Sequence, residues 1–238
     1  MSGREQAACC GRIETCERCG VRGLAVCRVL SPEELRELSR SMRTIELEPG
    51  EPLFHEGDPA HSVFTLTGGH LRLSRLLADG RRQVTGFLLP GDFLGLAFRD
   101  TYVATAEALD AAVLCTFPRT AFEDFLARHP RFEHELLARA RSELAAAQEQ
   151  MLVLGRKTAR ERLATFLVQL ARRHGTGGRA VLHLPMGRAD IADYLGLTVE
   201  TVSRTFSAFR REGLVRLEGR STVHIPSLPR LAAEAALE

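Results

Sequence analysis

Cys16, Cys19 and Cys27 stand in a Cys-x2-Cys-x7-Cys run, with Cys9-Cys10 just upstream. In a reducing compartment, thiols this close together read as metal ligands or as a redox pair rather than as a disulfide framework. Cys-x2-Cys suits a tetrahedral zinc site, and a dithiol switch needs only two of these cysteines. The remaining cysteine, Cys115, lies apart in the apolar, strand-like Ala112-Val-Leu-Cys-Thr-Phe117. A lone thiol in such a strand ordinarily reads as a small core residue.

A second set of chemically capable residues lies near the other end. From Arg188 to Gly213, two short helical patterns flank Leu195-Gly196-Leu197, which predicts a helix-turn-helix with glycine where the turn needs it. Thr198 is a fitting N-cap for the second helix, and Val202, Phe206 and Phe209 form its buried side. That leaves Val199, Glu200, Ser203 and Arg204 on or beside the open face near the helix N-terminus, the part that meets base edges in the major groove. Arg204 can donate two hydrogen bonds to guanine, Glu200 can accept from cytosine N4, and Ser203 can reach a neighbouring base or phosphate. Alone, a Glu–Arg pair at helical spacing would read as a solvated salt bridge; after this turn it reads as a DNA-contacting pair. Beyond it, Val215 and Leu217 alternate into Glu218-Gly219, and Val223 and Ile225 alternate back, as in a wing. Arg216, Arg220 and Ser221 would touch phosphates there.

These sites need elements to hold them. Thr44 to Phe117 reads as short strands punctuated by glycine turns, with Val63, Leu66, Leu71, Leu73, Val84 and Phe87 at alternating apolar positions: a small β-roll or jelly roll over residues 30–129. A helical period replaces it after Pro130. Leu137, Ala140, Leu144, Ala147, Met151 and Leu154 follow one another at steps of 3, 4, 3, 4 and 3, the seam of a two-stranded coiled coil. The helix over 130–155 either pairs two chains or packs on its own, and its alanines suggest a marginal dimer. Residues 156–238 begin with a helix from about Arg156 to His174, buried through Leu163, Phe166, Leu167 and Leu170, and continue into the winged module. The architecture is α+β, with a cysteine-rich segment over 1–29.

Splitting the chain after Gly155 leaves 18 basic and 22 acidic residues before the cut, against 14 and 8 after it, which favours a polyanion-binding C-terminal module. Paired carboxylates, a nucleophile triad and a phosphate loop are all missing from the pattern, so an enzyme is not expected. No stretch approaches the ~18 apolar residues of a membrane span and the N-terminus lacks a signal-peptide core, which leads us to expect a cytoplasmic protein without a membrane partner.

The order β-roll, long helix, winged helix-turn-helix resembles the superfamily of the cyclic AMP receptor protein from Leu30 onward, most specifically in Leu195-Gly-Leu-Thr-Val-Glu-Thr-Val-Ser-Arg204. The Glu-x-x-Ser-Arg helix and the N-terminal cysteines are similar to its FNR branch, the oxygen-responsive regulators of fumarate and nitrate respiration. Met151-Leu-Val-Leu-Gly-Arg-Lys-Thr-Ala-Arg160 resembles the alphaproteobacterial FNR-type members. The resemblance implies a homodimer on two-fold DNA with half-sites like TTGAT and ATCAA, read by Glu200, Ser203 and Arg204, with RNA polymerase as a further partner. It also implies a [4Fe-4S] cluster held by Cys16, Cys19, Cys27 and Cys115, although the Cys19–Cys27 gap is longer than in the enteric members. Zinc, a thiol switch or a small ligand remain alternatives, with His55, His61 and His70 as haem ligands in the last case. A cyclic nucleotide is not expected: Gly91-Asp-Phe-Leu-Gly95 and Thr101-Tyr-Val-Ala-Thr-Ala106 lack the Arg-Ser/Thr pair that docks the phosphate, and Arg99 is displaced from its place.

Overall fold

The structure, a computed structural model, describes residues 16, 18–95, 100–173, 178–219 and 221–235. Cys9, Cys10, Arg99 and Arg220 lie outside the described residues. The chain forms two compact units. They divide inside the long helix expected to connect them, after Ser142, and the second unit also takes Arg82–Val84.

The first unit opens with turns and a 3-10 turn, Val26–Val29, followed by helix α1 (Pro32–Ser39). Ser31 starts this helix with a capping box: its hydroxyl accepts from the Glu34 amide, and the Glu34 carboxylate accepts from the Ser31 amide. Pro32 suits the first helical position. Eight strands follow: β1 (Arg43–Leu47), β2 (Pro52–Phe54), β3 (Ser62–Gly68), β4 (Leu71–Leu76), β5 (Arg82–Leu88), β6 (Phe93–Leu94), β7 (Thr105–Ala108) and β8 (Ala112–Pro118). They make two antiparallel sheets, ordered β1-β8-β3-β6 and β2-β7-β4-β5. The expected β-roll is present, and five of its six named apolar positions are buried; Leu73 is half-buried.

Helix α2 (Arg119–Arg128) leaves β8 directly, and helix α3 (Pro130–Arg156) follows as one uninterrupted helix. Two cores result in this unit. One fills the sandwich with Leu66, Leu71, Ala106 and Leu114, while the other lies outside the first sheet and gathers Leu35, Leu38, Phe117, Phe122, Phe125, Phe132 and Leu136. Each buried Phe there contributes on the order of 2 kcal/mol.

In the second unit α4 (Ala159–Arg173) buries Leu163, Phe166, Leu167 and Leu170 as expected. It begins three residues later than anticipated, because Thr158 and Glu161 form a reciprocal cap that ends one helix and starts the next. Then come β9 (Ala180–His183), α5 (Arg188–Leu195), α6 (Val199–Arg211), β10 (Arg216–Glu218), β11 (Thr222–Ile225) and α7 (Leu228–Glu234). The wing is a three-stranded sheet, β10-β11-β9, one strand more than the sequence suggested.

Candidate thiol cavity and nucleic-acid interface

Strand β8 is central in its sheet, with Cys115 opposite Thr44 of β1 and Thr65 of β3. Side chains alternate across a strand. Ala112 and Leu114 therefore belong to the sandwich core, and Cys115 and Phe117 to the outer one. Cys115 is thus buried on the face covered by α1, α2 and the N-terminal turns.

Those turns are short and successive: Cys19 N–H donates to the Cys16 carbonyl, Arg22 N–H to the Cys19 carbonyl, and Leu24 and Ala25 N–H to the Val21 carbonyl. They bring Cys16, Cys19 and Cys27 to one side, where they line a cavity of about 40 Å³ together with Cys115. Its other walls are apolar, among them Leu35, Leu38, Met42, Phe122 and Phe132. Burial first, and then the neighbouring Cys19, Cys115 and Cys16, push the Cys27 thiol up to about 12. At neutral pH this thiol keeps its proton unless a cationic group takes its place. Among the described residues, no three His, Cys, Asp or Glu side chains are gathered tightly enough for a single metal ion. His55 and His61 are exposed, and His70 pairs with Asp110 at 2.7 Å, so the three histidines do not converge.

The cysteine-bearing segment is tied to the start of α3. Arg28 forms two hydrogen bonds of 3.1 Å with the Glu135 carboxylate, and Arg139 donates to the Leu24 carbonyl and, at 3.5 Å, to the Gly91 carbonyl. Gly91 has φ +99°, and a Cβ there would lie 2.6 Å from that of Leu24. Glycine is what lets the segment lie this close to the sheet.

Along α3 the predicted seam is largely uncovered: Leu137, Leu144 and Met151 are 55%, 60% and 67% exposed. Ala147 is exposed and Ala140 half-buried. Leu154 departs from the row. It is half-buried, with its Cδ2 3.6 Å from where a Gly196 Cβ would stand, while Leu152 is 59% exposed. A straight helix drifts ~20° per heptad from a 3.5-residue repeat, which rotates the last position away.

Helix α6, expected to meet DNA, has the cap and the buried row that its sequence predicts. Gly196 takes the left-handed conformation (φ +61°), and the Thr198 hydroxyl accepts from the Thr201 amide at 3.2 Å. Val202, Phe206 and Phe209 are buried, whereas Thr198, Val199, Glu200, Ser203 and Arg204 are exposed. The Glu200 carboxylate is held below its usual range by its own amide, the Thr198 hydroxyl and Arg204, so it is an acceptor at neutral pH. Arg216 is exposed on the wing and Ser221 half-buried. Arg204→Ala should weaken binding to the preferred duplex by about 5- to 150-fold, the ~1–3 kcal/mol of one bidentate base contact. Titration against a duplex changed at a single G·C pair checks this: the variant should lose the discrimination that the parent shows.

A β-sandwich joined by a long helix to a winged helix-turn-helix is the architecture of a DNA-binding regulator. Residues 44–129 match the cyclic nucleotide-binding domain and 161–234 the Crp-like helix-turn-helix domain. The chain is 46% identical to the transcriptional activatory protein AadR of Rhodopseudomonas palustris over 86% of its length and 85% of that protein's. It is 38% identical to the transcriptional activator FnrL of Cereibacter sphaeroides, over 94% and 92%. The structure of FixK2 from Bradyrhizobium japonicum superposes with a TM-score of 0.77 at 36% identity, covering 82% of this chain and 98% of that one. The chain belongs to the Crp/FNR family of transcription regulators, whose members are DNA-binding proteins and not enzymes. Among the described residues no helix is long and apolar enough to cross a membrane.

Proposed function

We propose that this regulator responds to oxygen through a [4Fe-4S] cluster held by Cys16, Cys19, Cys27 and Cys115, and acts as a homodimer on two-fold DNA, with RNA polymerase as its partner in transcription. The observation that carries the reading is the convergence of four thiols on one apolar cavity, three from a short segment and one from a strand far away in the sequence. Four thiols are the ligand set that such a cluster requires, and the cavity they line is otherwise walled by apolar side chains. When bound, such a cluster supplies the oxidant-sensitive element.

The chain's own residues do the rest. Four thiolates would pin the segment to β8, while Arg28–Glu135 and Arg139–Leu24 tie the same segment to α3 beside Leu137 and Ala140. A segment anchored at both ends holds the first turns of α3 in place for pairing. A segment released from β8 leaves them less constrained, and a shift of ~3 kcal/mol changes dimer occupancy about a hundredfold. No cyclic nucleotide enters this scheme. That expectation rests on the stretch Thr101–Ala106, which lacks the Arg-Ser/Thr pair that would dock its phosphate.

Purification without air, with iron and sulfide analysis, tests the reading. About four irons and four sulfides per chain are expected, with an absorption band near ~400 nm that bleaches in air. A colourless protein holding zinc or nothing would overturn the cluster and leave only the DNA-binding assignment standing.

A further inference from the structure

We propose that Arg162 is a positioning residue for DNA readout: it fixes the direction in which the recognition helix leaves the end of the long helix. The proposal rests on the dimeric, two-half-site reading above.

Arg162 lies half-buried in the first turns of α4. Its Nε donates to the Lys157 carbonyl at 2.9 Å and its Nη2 to the Leu154 carbonyl at 2.8 Å. Its Nη1 donates to the Leu195 carbonyl at 2.8 Å, with the Gly196 carbonyl at 3.5 Å. Leu154 is in the last turn of α3, and Leu195 and Gly196 end α5. These carbonyls have no helical N–H ahead of them, and each helix end carries partial negative charge. One planar cation therefore satisfies two helix C-termini at once, and joins them.

What it joins matters for readout. Gly196 sits in the tight turn directly before Thr198, the cap of α6, so holding Leu195 and Gly196 against Leu154 fixes where Glu200, Ser203 and Arg204 start. The Gly196 carbonyl is available because the residue is left-handed, and a Cβ there would stand 3.5 Å from Arg162 Nη1. A lysine could not replace the fork: its single ammonium cannot face three carbonyls in three directions.

If Arg162 aims the heads, its loss should harm simultaneous engagement of two half-sites and spare each head alone. The full chain, prepared without air, is titrated with a duplex bearing TTGAT and ATCAA half-sites, with the same duplex one base pair longer between them, and with a single half-site. The parent should bind the correctly spaced duplex ~10²-fold tighter than the half-site. Arg162→Gln should cut that ratio about tenfold and flatten the preference for spacing, with half-site affinity, iron content and sedimentation unchanged. Arg162→Lys, which keeps the charge, serves if the Gln variant does not fold, and should show the same flattening. Equal losses on full and half sites, or a spacing preference retained by both variants, would overturn the assignment. A parent that itself prefers neither spacing would overturn the two-half-site reading instead.

Discussion

Cys115→Ser is expected to abolish the iron binding proposed above without unfolding the chain. The expected preparation made without air holds well under one iron per chain, against about four in the parent. Cys115 is the one member of the thiol set that sits on a regular strand, held between Thr44 and Thr65. The other three thiols come from a segment whose own backbone bonds are short-range turns. Serine preserves the shape at position 115 but offers a hard, weakly acidic hydroxyl where a soft thiolate is needed. The hydroxyl would lie in an apolar wall, at a cost of ~1–2 kcal/mol to the fold, small beside the loss of a ligand. Far-ultraviolet circular dichroism should be unchanged and the melting point lowered by a few degrees. A variant that retained its iron would remove Cys115 from the ligand set.

The second large effect is expected at the seam. Leu144 is 60% exposed and stands midway along the uncovered row of α3, so Leu144→Glu costs the single chain little. In a pair of such helices the two carboxylates would meet at facing core positions, where desolvation and like charge oppose association. Self-association should weaken about a hundredfold or more, near 3 kcal/mol. Affinity for a two-half-site duplex should fall by ~10²-fold, and half-site binding should remain. Sedimentation of the variant as a dimer would show that the seam does not pair the chains.

The parts of this protein readable from sequence are those whose signal is local. The buried row Val202, Phe206 and Phe209, the Thr198 cap and the Gly196 turn each depend on residues a few positions apart, and all appear as expected. The β-roll was legible for the same reason, through alternation and glycine turns. What escaped depends on distance. Glu135 and Arg139, at helical spacing amid other charges, look like a solvated face, and nothing near them points to Arg28, which lies 107 residues from Glu135. The aromatic wall of Phe122 and Phe132 reads as ordinary core until the cysteines are seen against it. Arg162 resembles any other arginine on an amphipathic helix, because its partners are backbone carbonyls, which carry no sequence signal. Leu154 is half-buried beside Gly196 rather than exposed like Leu137, Leu144 and Met151, a contact with the turn of a distant helix that a heptad count does not reveal.

Strand β8 is buried on both faces, and its two flanks serve different cores. One inserted or deleted residue upstream of Cys115 within that strand would turn the thiol into the sandwich and Leu114 or Thr116 out toward the cavity. The peptide between Cys19 and Cys27 obeys no such parity: it runs in turns, and its first part, Gly20–Gly23, is not buried, so a change of length there can be absorbed by adding or losing a turn before Ala25 and Val26 meet the core. The two halves of the thiol set are thus under unequal editing constraints. Length variation among related chains should accumulate between the N-terminal cysteines, while the strand tolerates substitution but not insertion.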